Sequence, residues 1–72
     1  MRLRVNNPAL IPDLIEFLQS RLDMVINRVG KNEVEVSLLG SYGPDATRLM
    51  LQLLVRAWEA GRDAKASVEL VD

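Results

Sequence analysis

The stretch MVINRVGKNEVEVSLL, from Met24 to Leu39, reads as two strands around a turn. Its first six residues are rich in β-branched side chains, and Gly30-Lys31-Asn32 is a turn signal. From Glu33 the chain alternates polar with apolar, so Val34, Val36 and Leu38 share one face of a strand. A two-residue loop at Lys31-Asn32 predicts that Val29 pairs with Val34 and Arg28 with Glu35. A slip of one residue would turn Arg28 inward, which argues for this register. It leaves Met24, Ile26 and Leu39 pointing outward at one edge, an apolar cluster that reads as a contact surface.

Outward from this hairpin, each flank repeats a strand and a helix. Arg2 to Asn6 alternates with period two and places Leu3 and Val5 on the inner face. Asn7 suits a helix cap and Pro8 a first helical position. Leu10, Ile11, Leu14, Ile15, Leu18 and Leu22 then follow helical spacing, widened by Phe17, with Asp13, Glu16, Gln19 and Ser20 opposite. Pro12 implies either an irregular first turn or a regular helix that starts there. That helix should end near Asp23. After the hairpin, Gly40-Ser41-Tyr42-Gly43-Pro44 is a loop and helix start, with Asp45 suited to the first turn. The second helix is predicted to reach about Gly61. Residues Lys65 to Val71 alternate again, with Ala66, Val68 and Leu70 on one face. The order β-α-β-β-α-β in a single domain, 1–72, predicts an α+β ferredoxin-like sandwich. It would have a four-stranded antiparallel sheet of order 4-1-3-2 with both helices on one face. Arg2 and Arg4 then stand on the open face of a central strand, between Glu69 on one side and Glu33 and Glu35 on the other.

The second helix has more apolar surface than one sheet can cover. On a step of 100° per residue its apolar arc spans roughly 240°, where packing needs about 100–160°. Arg48, Gln52, Arg56 and Glu59 occupy the remaining sector. With Leu49, Met50, Leu53 and Ala57 placed against the sheet, Leu51, Val55 and Trp58 are left outside. Leaving them in water would forgo roughly 1.5–3 kcal/mol each. They are therefore the expected interface, rimmed by Arg48 and Arg56. Trp and Arg are enriched at binding hot spots. The expected partner is a second copy in a homodimer, or another protein.

Composition narrows the chemistry. The 72 residues include no cysteine and no histidine. That excludes disulfides, Cys/His metal sites and His-activated nucleophiles. The hydroxyls have no base beside them, and Glu33 and Glu35 sit on an exposed strand face, so no catalytic residue, cofactor or metal is assigned. The net charge of −1 and the lack of aromatic residues on the central strands argue against nucleic acid. No apolar run is long enough for a membrane span, and the expected location is cytoplasmic.

Two resemblances follow from particular residues. Val5-Asn6-Asn7-Pro8-Ala9-Leu10-Ile11, followed by an amphipathic helix, resembles the first β-α segment of ACT-type regulatory domains. That resemblance implies a small-ligand sensor with Asn6, Asn7 and Pro8 as a ligand loop at a dimer interface. Apart from that resemblance, the Gly40-Ser41-Tyr42-Gly43 loop precedes a helix N-terminus, a generic anion site, where Tyr42 would cover either a ligand or the end of the sheet. Arg56-Ala57-Trp58 in the second helix resembles a group of small bacterial proteins, which implies a fold and no activity.

Overall fold

A computed structural model of the chain describes residues 1–62 and 66–71. Among them the elements run β1 (Arg2–Val5), α1 (Ile11–Arg21), β2 (Met24–Arg28), β3 (Glu33–Leu38), α2 (Pro44–Ala60) and β4 (Val68–Val71). The protein is α+β, with a four-stranded antiparallel sheet ordered β2-β3-β1-β4 and two helices. Lys65, read as the first residue of the last strand, lies outside the described residues.

Local chemistry explains the first helix. The Asn7 side chain accepts a hydrogen bond from the Ala9 amide at 3.1 Å and starts a 3-10 turn over Pro8–Leu10. The α-helix proper begins at Ile11, which puts Pro12 in the first turn, where its missing N–H costs nothing. Ile11, Leu14 and Leu18 are buried, and Asp13 and Arg21 complement the two ends of the helix dipole.

The sheet presents one apolar and one charged face. Leu3 and Val5 of β1, Val34 and Val36 of β3, and Met24 of β2 are buried against the apolar sides of both helices. From α2 the core takes Leu51, Val55 and Trp58. No polar or charged side chain is buried among the described residues.

The hairpin register differs from the expected one by a single residue. Arg28 pairs with Val34, Asn27 with Glu35, Ile26 with Val36 and Met24 with Leu38. The turn has three residues, Gly30-Lys31-Asn32, and the amides of Val29 and Gly30 both donate to the Glu33 carbonyl. Arg28 can occupy the core side because β2 runs past the end of the core. Arg28 sits on the core side of the sheet yet stays exposed, and its guanidinium donates to the Lys31 carbonyl at 2.8 Å and the Gly30 carbonyl at 3.4 Å. Met24 and Ile26 consequently turn inward, Met24 buried and Ile26 half-buried, instead of forming an outward cluster with Leu39.

Candidate functional site

α2 is rotated by nearly half a turn from the orientation expected of it. Leu51, Val55 and Trp58, assigned above to an interface, are 0%, 2% and 1% exposed. Leu49 and Leu53, assigned to the sheet, are 58% and 62% exposed. The physical reason is bulk. One side of the helix offers Leu51, Leu54, Val55 and Trp58; the other offers Ala46, Leu49, Met50, Leu53 and Ala57. Burying the first set removes more apolar surface from water, because alanines add little to the second.

The outer side of α2 is thus a stripe of Ala46, Leu49, Met50, Leu53 and Ala57, with Met50 half-buried and the rest exposed. Beside it, where the end of α1 meets the middle of α2, lies a shallow groove of about 320 Å³ lined by Arg21, Leu22, Met50, Leu53 and Leu54. Stripe and groove form one continuous apolar surface. Monomers rarely leave contiguous apolar patches of this kind open without a use.

Arg48 and Arg56 do not rim Leu51, Val55 and Trp58 as a surface. They lie with Gln52 in a separate groove of about 290 Å³ between α2 and the edge strand β4, whose floor is Val55, Val68 and Leu70. Leu39 is exposed, as expected, but without Met24 and Ile26 beside it. It lines a shallow groove of about 270 Å³ with Leu22 and Tyr42 at the end of α1.

The residues of the expected ligand loop are engaged in holding the fold. Asn6 accepts a hydrogen bond from the Ser67 amide at 2.9 Å, tying β1 to the start of β4. Asn7 caps the 3-10 turn, with Pro8 at its first position. Tyr42 follows β3, which is antiparallel to β1, so it lies at the opposite end of the sheet from Asn6, Asn7 and Pro8. The structure does not bring these four together.

The charged face is a ladder. Arg4 donates from Nε to Glu33 Oε2 at 3.0 Å, and Arg2 reaches Glu33 at 3.8 Å and Glu35 at 3.9 Å. Arg4 also reaches Glu69 at 3.7 Å. Glu33 is the most shielded of these groups, 24% exposed against 67% for Glu69. Glu33→Gln should therefore lower stability by about 0.5–1 kcal/mol and Glu69→Gln by less than about 0.3 kcal/mol. Urea unfolding at low and high salt checks this, with the difference shrinking in salt.

One cluster was not foreseen. The Trp58 indole Nε1 donates to Asp13 Oδ2 at 2.8 Å. Arg62 bonds to the same oxygen, and its guanidinium lies 5.4 Å from the centre of the Trp58 ring. These three residues clamp the start of α1 to the end of α2. The signal in the sequence was a buried-type aromatic with one polar hydrogen and an acid in the first turn of the other helix. Helical periodicity placed Asp13 on the solvent side and did not connect them. A second tie, from the Val68 amide to Glu59 at 2.7 Å, occupies the outer edge of β4 at its first residue.

No helix among the described residues is long and apolar enough to cross a membrane. No known protein family, curated protein or solved structure matches this chain.

Proposed function

We propose that this chain is a small ferredoxin-like association module, without catalytic activity, that meets a second copy of itself through the outer side of α2. The observation that carries the reading is the exposure of Leu49 and Leu53 on one side of a helix whose other side fills the core. A domain of 72 residues has a small stability margin, and burying two leucines and a methionine in a dimer adds to it. The helix is 17 residues, or about 25 Å, long. A contact of that length is at the small end of specific interfaces, so the dimer should be weak, with a dissociation constant of about 10–100 µM.

The test is absolute mass by light scattering after size exclusion, over a concentration series, with wild type beside Leu53→Glu. Wild type should move from monomer toward dimer as concentration rises. Leu53→Glu should stay monomeric and folded, its dissociation constant raised at least about thirtyfold, as truncating a central anchor does. A dimer indifferent to Leu53→Glu would move the contact to the sheet edge at Val25 and Leu39. Wild type that is monomeric throughout would overturn self-association.

A further inference from the structure

Resting on that reading, we infer that the two copies pack α2 against α2 in antiparallel fashion about a two-fold axis near Leu51. Asp45 and Arg56 both stand on the same rim of the apolar stripe, within roughly 20° of each other around the helix axis. Along the axis they are eleven residues, about 16 Å, apart, so they cannot pair within one copy. Both are exposed, and neither makes an ion pair or side-chain hydrogen bond among the described residues.

An axis perpendicular to the pair of helices keeps like rims together and reverses the chain direction. It sets Asp45 of each copy at the height of Arg56 of the other, within about 2 Å along the helix. The same axis sets Leu53 of each copy opposite Leu49 of the other, the two most exposed leucines of the helix. Two ion pairs and two leucine contacts are thus satisfied by one operation, which is the self-complementarity a two-fold interface requires. The small Ala46 and Ala57 lie toward the two ends and let the backbones approach. In a parallel pair the rim bearing Asp45 and Arg56 would face the opposite rim. There Met50 and Leu54 offer Arg56 nothing to pair with.

The charge test is a double reversal. Asp45→Arg and Arg56→Asp should each raise the dimer dissociation constant about tenfold, since each replaces two attractions by repulsions. The double variant should return to within about threefold of wild type. The second test exploits the absence of cysteine. In the antiparallel pair the two copies of residue 50 face each other across the axis, while the two copies of residue 46 are about 15 Å apart. Met50→Cys should therefore form a disulfide-linked dimer under mild oxidation, and Ala46→Cys should not.

Recovery in the double reversal together with cross-linking at 50 supports the inference. Cross-linking at 46 and not at 50, or a double reversal no better than the singles, overturns the antiparallel arrangement while leaving a dimer through α2 in place. A wild-type monomer at every concentration overturns this inference together with the reading beneath it.

Discussion

Leu51→Glu should abolish the cooperative unfolding transition, while Leu53→Glu, two positions along the same helix, should leave it nearly unchanged. Leu51 is 0% exposed and packs in the cluster that joins both helices to the sheet. Replacing it removes a buried leucine, which costs about 2–5 kcal/mol. The carboxylate then has to be desolvated without a buried cation beside it, for no charged side chain is buried among the described residues. That adds several kcal/mol, or protonates the group at a comparable cost. Against this stands a total stability of roughly 4–11 kcal/mol for a chain of this length, taking about 0.05–0.15 kcal/mol per residue. Circular dichroism with urea titration should find Leu51→Glu unfolded in buffer. Leu53→Glu measured as dilute monomer should lie within about 0.5 kcal/mol of wild type, as exposed substitutions do. The opposite ranking would mean that α2 presents its other side to the sheet.

That contrast also locates what periodicity could and could not settle. β1, β3 and β4 alternate with period two; of the inward sets their patterns named, Leu3, Val5, Val34, Val36 and Ala66 are buried, and Leu38, Val68 and Leu70 are half-buried. The Arg2, Arg4, Glu33, Glu35 and Glu69 ladder followed directly, because period and strand adjacency determine which charges meet. α1 has one apolar sector and a clear polar one, so its buried residues were legible too. α2 was different. An apolar arc of roughly 240° has no unique phase, and the moment of such a helix says little about which part of the arc is inside. The choice is made by volume, in competition between two apolar sides, and volume is a property of the assembled core. The expectation that α2 carries surplus apolar surface was right in amount and wrong in position. β2 failed for a related reason. Met24-Val25-Ile26 has no alternation to read, so its register hung on Arg28, a residue whose burial depended on where the helices stop covering the sheet.

Trp58→Ala should cost about 3–5 kcal/mol, the range for truncating a large core aromatic. Trp58 is the largest fully buried side chain of the protein and its only tryptophan. Two contributions make up this cost, and they can be separated. Trp58→Phe keeps most of the apolar volume but loses the N–H that Asp13 accepts at 2.8 Å. Asp13 keeps Arg62 and stays in contact with water, 48% exposed, so losing the indole donor does not strand it. Trp58→Phe should therefore cost only about 1–2 kcal/mol, including the smaller ring. Asp13→Ala works from the other side. It leaves the indole N–H of an otherwise enclosed ring without its acceptor and releases Arg62 from the same oxygen, for about 1–3 kcal/mol. If the bond acts as described, combining Trp58→Phe with Asp13→Ala costs less than the sum of the two, with a coupling of about 1–2 kcal/mol. Urea unfolding followed by circular dichroism gives all three values, and Trp58 fluorescence in Asp13→Ala reports whether the ring remains buried. Strict additivity would show that Asp13 and Trp58 are neighbours without being partners, and the end of α2 would then be held by the apolar core and the Glu59–Val68 hydrogen bond. A strong coupling would explain why a residue with the hallmarks of a binding anchor faces inward. Its apolar body fills the space between helix and sheet, and Asp13 satisfies its single polar hydrogen at the rim of that space.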